Sequence, residues 1–438
     1  MFQSCSKLPV FVACTGLVLS SFETSAVDFD VGVGAGAEYT NNVGLSAEDP
    51  IEDTIVVGYV GAKLVEPTGP VTADITATLN HQQYLEDSFQ DQRYFRLAAA
   101  VDWEMIKERF DWQLNNLYTQ RPINNTDPNT PDNIQDSNVF TLGANMFYPV
   151  SGRQSFTLFP QYKNFYYEIQ NADNQQVSLL ANWAYQANST TYIGMNASIR
   201  AVDYNLDVID DVSFTEVYFA LSGSRARSEY STNLGTVYVK RSNGQSTEEF
   251  SGNLNWLINL TGRSSLRTFI STGLTDGGNA SLRATVDPGE GNPLDIQITP
   301  DVIRNQVITV GYQREDYTLK TGITASLRNL NYSESPNDRK IRSLNAAIDY
   351  PVTALLVSGL YAGFNDTELT DTGRVDESYN IGANLKYQLS RSLKTVFDLR
   401  YRTRESTDAF RDYSEWSAYI SLTYGFGQPQ RPGRSGGA

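Results

Sequence analysis

Imidazole and thiol are almost missing from this chain: one histidine, His81, and two cysteines, Cys5 and Cys14. Both cysteines fall in residues 1–26, which read as a signal peptide. Lys7 precedes an apolar stretch from Leu8 to Leu19, and small residues end at Thr24-Ser25-Ala26. With that segment cleaved, the remaining chain has no thiol, which excludes disulfides and thiolate metal sites. A lipoprotein reading through Phe11-Val12-Ala13-Cys14 competes, but the apolar run before Cys14 is short and Phe11 fits poorly. One histidine also excludes a zinc site built on several imidazoles. After residue 26 no apolar run approaches the roughly 20 residues of a spanning helix. The mean hydropathy of -0.37 is likewise too polar for a helical membrane protein. Basic residues are outnumbered, 34 against 50 acidic, and the net charge of -16 disfavours nucleic acid as a partner.

Aromatic residues, by contrast, are plentiful: 26 Tyr, 20 Phe and 5 Trp in a chain this polar. Their placement explains the combination. In the last periodic segment, Trp416, Ala418, Ile420, Leu422, Tyr424 and Phe426 alternate with Ser417, Tyr419, Ser421, Thr423 and Gly425. Successive side chains of a strand point to opposite faces, so one face is apolar with aromatic ends and the other is small and mostly polar. The same phase puts Tyr379, Ile381, Ala383, Leu385 and Tyr387 against Asn380, Gly382, Asn384, Lys386 and Gln388. It recurs over Phe140–Tyr148 and Val71–Asn80. Apolar residues recur at two, not at three or four, which excludes helix. Apolar outside, polar inside and aromatic at both ends is the pattern of a barrel in lipid. On this phase Tyr148, Trp183, Trp256, Tyr379, Tyr387, Trp416, Tyr424 and Phe426 are expected at the membrane interfaces.

Connections alternate short and long. Short turns near 66–69, 105–108, 150–154, 187–190, 224–228, 261–264, 314–316, 351–353 and 389–392 alternate with longer loops. The loops fall near 40–53, 85–92, 121–136, 168–174, 204–212, 241–247, 275–302, 328–340, 365–378 and 404–414. The expected fold is an all-β transmembrane antiparallel barrel of about 20 strands (18–22), with short periplasmic turns and long external loops. Residues 27–426 would form it in the outer membrane of a Gram-negative bacterium, with 427–438 as a flexible periplasmic tail.

The glycine-rich first strand (Val31-Gly-Val-Gly-Ala-Gly-Ala37), the echoed turns Tyr148-Pro-Val150 and Tyr350-Pro-Val352, and the short tail after the final aromatic add a family resemblance. Together with the signal peptide, they resemble the putative β-barrel porin 2 family. That group includes outer-membrane barrels of exopolysaccharide gene clusters. The resemblance implies a role in exporting or assembling an extracellular polysaccharide, with no catalytic residues and no cofactor to carry over.

Few residues suggest chemistry. His81 continues the lipid-facing phase at the outer end of its strand, so it reads as an interfacial residue. A Ser-His-carboxylate hydrolase would have to use it, and no distinctive serine motif accompanies it. Acidic groups at Glu48/Asp49/Glu52/Asp53, Asp207/Asp210/Asp211 and Asp366/Glu368/Asp371 match no spaced calcium loop and read as solvated. The inward phase carries Asp74, Arg96, Asp102, Asp111, Arg200, Arg267, Asp349, Lys386, Lys394, Asp398, Arg400 and Arg402. These are either a pore lining that selects solutes or internal ion pairs of a wet lumen. Lys394, Asp398, Arg400 and Arg402 share one strand and offer a local positive stripe for acidic sugars. Inward Phe147, Phe159, Phe165 and Tyr419 suit stacking on sugar rings, space filling, or packing of a plug loop.

The leading expectation is a passive conduit for polysaccharide. A solute-uptake porin, with 275–302 as an inward constriction loop, and a plugged structural or adhesive barrel are its rivals. Expected partners are outer-membrane lipid and lipopolysaccharide, the barrel assembly machinery and periplasmic polysaccharide export proteins.

Overall fold

Period-two alternation becomes a closed antiparallel barrel of 20 strands in the computed structural model, which describes residues 27–432 apart from 207, 288, 290 and 291. The expected signal peptide, 1–26, lies outside the described residues, as does Asp207. Each strand pairs with its sequence neighbours, and β1 (Asp28–Thr40) closes on β20 (Tyr413–Gly425) from Gly32↔Gly425 to Thr40↔Ser417. Strands of 13–18 residues exceed the roughly 9–11 a tilted crossing needs, so their ends project beyond the apolar band.

Register puts the two faces where the alternation requires. In β18 (Arg374–Gln388), Ile381 and Leu385 point out and are exposed, whereas Asp376 and Gly382 point in and are buried. The outer wall displays Val33, Val177, Ile199, Leu327, Leu360 and Ile420, each more than half exposed. In water each such side chain would forgo roughly 1.5–3 kcal/mol of burial, so a continuous band of them calls for lipid. Tyr148, Trp183, Trp256, Tyr379, Tyr387, Trp416 and Tyr424 are exposed on this outer face near strand ends. Phe426 is half-buried and lies one residue beyond β20.

One rim carries connections of two to four residues, such as Gly152-Arg153 and Ser189-Thr190 between consecutive strands. At the other rim they range from four residues to the 25 of 277–301. Two expected loops are tighter than the sequence suggested. The loop at 365–378 shrinks to 370–373 because β17 (Leu356–Leu369) and β18 pair up to Leu369↔Arg374. The loop at 241–247 shrinks to 242–245 in the same way, since β11 (Ser228–Arg241) and β12 (Ser246–Thr261) pair up to Lys240↔Ser246.

Candidate functional site: an occupied lumen

The interior is not an empty tube. At the long-loop rim, residues 277–301, between β13 (Ser264–Asp276) and β14 (Val302–Glu315), fold inward as helix α1 (Gly277–Val286) and a short 3-10 turn at Pro293–Asp295. Asp276 caps the helix, accepting from the Asn279 backbone N–H at 3.0 Å. The same carboxylate pairs with Arg200, whose guanidinium sits 4.1 Å over the Phe214 ring. Gln176 donates to it at 3.2 Å, and Lys163 reaches the Asn279 side chain at 2.8 Å. At Gly278 a Cβ would stand 3.0 Å from the Phe165 ring, so the backbone must be bare for the helix to seat there.

Apolar burial holds the segment as firmly as these polar contacts. Ala280, Ala284 and Ile296 pack with Ile303, Leu330, Tyr332 and Ile341 of the wall. Ile298 packs with Phe165, Tyr167 and Ala172, with Leu282 and Val139 against them. Beyond the helix, Arg328 donates to Asn292 O at 2.8 Å and Arg121 to Pro293 O at 3.0 Å. Burial pushes the Asp295 carboxyl up, against the opposing pull of Arg328 and Arg339. A second loop, 123–133, meets the first through Gln297 Nε2 to Ile123 O, 2.8 Å. It also reaches across the opening, where Asp127 pairs with Arg411 and Arg404 donates to Thr126 O at 2.9 Å. The two loops thus bridge this rim from 277–301 to the wall at Arg404 and Arg411.

Beneath 277–301, on the wall of strands β9 (Thr191–Tyr204) to β15 (Lys320–Tyr332), lies a cavity of about 980 Å³. It runs from the short-turn rim at Ser189-Thr190 up to Phe269, Gly289 and Thr309. Its lining is hydroxyl, amide and aromatic: Tyr192, Ser222, Ser231, Asn255, Phe269, Thr309 and Thr324. Among the described residues two charged side chains line it, Glu229 and Arg267, and Arg267 is paired with Asp287 at 3.1 Å. A row of neutral amides continues this character along the wall. Asn182 donates to Asn196, Asn196 to Asn233 at 3.0 Å, and Asn233 to Asn253 at 3.3 Å.

The charged candidates are scattered, and most are neutralised. Arg400, Arg402 and Asp398 do not form an open positive stripe. Arg400 is 3% exposed, 3.3 Å from Glu38, and Arg402 is bound to Glu415. Antiparallel register is the reason, because it sets Arg402 directly opposite Glu415 and brings β1 acids alongside. Lys394, at the short-turn end of the same strand, stays exposed. Lys386 lies 3.4 Å from Asp349, and Arg96 donates to Gln120 at 3.3 Å. Arg200 and Arg267 anchor the inserted segment. Of the inward aromatics, Phe165 and Tyr419 pack inserted chain, and Phe159 fills the space left by Gly143. His81 lies on the outer face, and among the described residues its Nδ1 has no hydrogen-bond partner. The acidic loop groups meet neighbours: Asp366 pairs with Arg342 at 2.6 Å, and Asp210 accepts from Ser242 at 2.7 Å. Among the described residues no three His, Cys, Asp or Glu side chains converge on a metal-sized site.

The expected free tail is also corrected. Gly427–Pro432 does not hang below the barrel but runs into the lumen, where Arg431 bonds Glu38, Asp398 and Ser417. Sequence reading offered an inward fold of 275–302 only for the uptake-porin rival and missed the insertion of the tail. A signal for the first was present: Ile296, Ile298 and Leu282 sit in a segment that a solvated loop would keep polar.

Residues 340–426 match the putative beta-barrel porin 2 family. The match spans the last five strands, from β16 (Arg339–Pro351) to β20, including the wall that faces the inserted tail. Among solved structures, a mutant of the ferric enterobactin receptor of Pseudomonas aeruginosa in complex with enterobactin is similar in fold. It is 9% identical, with 92% of this chain and 82% of that chain covered and a TM-score of 0.51. Pseudomonas aeruginosa OccK2, in complex with glucuronate, gives 9% identity, 93% and 99% coverage and a TM-score of 0.42. No curated protein is a match. The fold is that of an outer-membrane β-barrel of porin and transporter type.

Proposed function

We propose that this chain is a gated conduit in the outer membrane of a Gram-negative bacterium. Its cargo would be an uncharged saccharide in the export or assembly of an extracellular polysaccharide. One observation carries the reading: the cavity reaches the short-turn rim, which is the periplasmic one in this orientation, and ends beneath the inserted segment 277–301. A path open from the inside and shut from the outside suits cargo that leaves. Hydroxyls, amides and aromatic faces such as Tyr192 and Phe269 suit sugar, whose polar rim and C–H faces need both. Weak, repeated contacts of this kind let a chain advance without being trapped. The family match supports a porin-type barrel, and the polysaccharide class is our extension from the lining chemistry. Conduction itself asks no bond-making of the protein. Lipopolysaccharide, the barrel assembly machinery and a periplasmic export protein are the partners this role requires.

A second reading has an observation of its own. The inward fold of 277–301, pinned by Arg200 and Asp276, is what a narrow solute-uptake porin needs for its constriction. Deleting the gene separates the two. Loss of secreted polymer, with uptake of small sugars unchanged, supports export. Unchanged polymer with slowed uptake makes it an uptake porin. A barrel that conducts nothing even with 277–301 removed is a plugged structural element.

A further inference from the structure

We infer that the lumen contains a guanidinium site, built from Glu38, Asp398, Ser417 and Tyr419, which the chain's own C-terminal tail fills with Arg431. Four independent features converge on it. First, the chain bends where β20 ends. Gly425 and Gly427 have φ of 82° and 77°, a left-handed conformation open to glycine and strained for side chains. A Cβ on Gly427 would strike the Tyr59 hydroxyl. Second, the inward face of β1 is bare from Gly32 to Gly36. Gly32, Gly34 and Gly36 all point to the lumen; a Cβ on Gly32 would collide with the Phe426 backbone, and one on Gly34 would stand 3.1 Å from Pro429 Cγ. The tail lies in the trough these glycines leave.

Third, the tail is bonded along its length. The Tyr419 hydroxyl donates to Pro429 O at 3.1 Å, and the Gln430 N–H to Asn80 Oδ1 at 2.8 Å. Arg431 then donates Nε to Glu38 at 2.9 Å, Nη1 to Asp398 and Nη2 to Ser417 Oγ at 2.8 Å, with its guanidinium 5.7 Å from the Tyr419 ring centroid. Planar fork and aromatic face are both used, which an ammonium does less well. Fourth, the charges balance only with Arg431 present. Glu38, Glu415 and Asp398 give three negative charges; Arg400 and Arg402 give two positive, and Arg431 supplies the third. Without it Asp398, 13% exposed, loses its counter-charge and Glu38 keeps only Arg400, which is costly. The vacated site would take an alkylguanidinium. A tail seated here also narrows the lumen on the side of β1 and β20, and that consequence rests on the conduit reading above.

The test uses the full chain, a variant lacking residues 427–438, and Arg431→Gln, all checked for barrel folding by heat-modifiability. A synthetic peptide of the sequence Gly427–Ala438 is titrated onto each. It should bind the shortened barrel and not the full chain, and the same peptide carrying Arg431→Gln should bind at least about tenfold more weakly. A cysteine pair, Gly34→Cys with Pro429→Cys, should cross-link in the intact protein under mild oxidation. In planar bilayers, the shortened barrel and Arg431→Gln should conduct about twofold or more above wild type, and added peptide should reverse the gain for the shortened barrel. Equal binding of both peptides, no binding of either, or an absent cross-link overturns the guanidinium site. Equal conductance of all three proteins, with binding intact, overturns the narrowing. If peptide binds as stated but no variant conducts even after removal of 277–301, the conduit reading fails and the tail site stands.

Discussion

Two segments enter the lumen from opposite rims, and they are held by different physics. Segment 277–301 is seated by two apolar clusters, with Ile296 at 2% and Ile298 at 5% exposure, and its buried ion pair sits at one end. Among the described residues no apolar cluster includes the tail, 427–432. A glycine trough, hydrogen bonds at Pro429 O and the Gln430 N–H, and the Arg431 guanidinium hold it. Burial of this kind is lost only when many contacts are lost together, so the external segment behaves as a folded part of the wall. A single charged anchor is exchangeable: any competing guanidinium offers the same bonds. Segment 277–301 is therefore expected to open more slowly than the tail, which is the one open to competition.

The largest effect on this contrast is expected from Arg200→Leu. It leaves Asp276, 2% exposed, without its cation, and breaking a buried pair from one side costs about 3–5 kcal/mol. The strand pairing of β9 with β8 (Asn174–Asn188) and β10 (Val212–Arg225) is backbone-made and should survive. Amides of 277–286 should exchange faster by two or more orders of magnitude while those of the tail do not change. Adding Asp276→Asn, which keeps a helix cap but removes the stranded charge, should recover much of the loss. If the single variant exchanges like wild type in 277–286, the ion pair is not an anchor of the external segment.

Next in size is Ile298→Ala. Truncating a buried isoleucine costs about 2–5 kcal/mol through lost transfer and the cavity left behind. The site is on the inserted segment itself, among Phe165, Tyr167 and Ala172, so the barrel keeps its own wall contacts. Conductance should rise and heat-modifiability should persist. An unaltered conductance, with 277–301 exchanging as in wild type, would show that polar anchors alone seat the segment.

How much of this could be read beforehand follows from the range of the forces involved. Strand identity and facing come from neighbours two residues apart, so Tyr379–Tyr387 or Val71–Leu79 declare themselves locally. The closure of β1 on β20 follows once every strand needs two partners. Segment 277–301 is different, since its partners Leu330 and Ile341 are contributed by strands that only the folded barrel brings beneath it. Ion pairing is harder still. Arg402 and Glu415 are 13 residues apart and meet because one turn fixes their register, whereas Glu38 and Arg431 are 393 apart and meet only through closure. A stripe of arginines on one strand therefore looked positive until the acids of the adjoining strands were in place. Gly32, Gly34 and Gly36 were visible as a repeat, but their purpose was not, because the occupant of the space they leave arrives from the other end of the chain.

The smallest expected effect is also the sharpest test of how the tail is held. Tyr419→Phe removes the hydroxyl that donates to Pro429 O at 3.1 Å but keeps the ring beside the Arg431 guanidinium. A neutral hydrogen bond is worth about 0.5–1.5 kcal/mol net, so tail release should rise by roughly three- to tenfold. Tyr419→Leu removes the ring as well and should add roughly 0.5–2 kcal/mol, the contribution of a cation over an aromatic face. Both are measured as affinity of the Gly427–Ala438 peptide for the barrel lacking its own tail. The peptide carrying Arg431→Gln serves as the reference. With that peptide the two Tyr419 variants should be alike, since the ring then has no cation to meet. A Leu variant that binds the native peptide as well as the Phe variant would leave Glu38, Asp398 and Ser417 as the holders of Arg431, with no share for the ring.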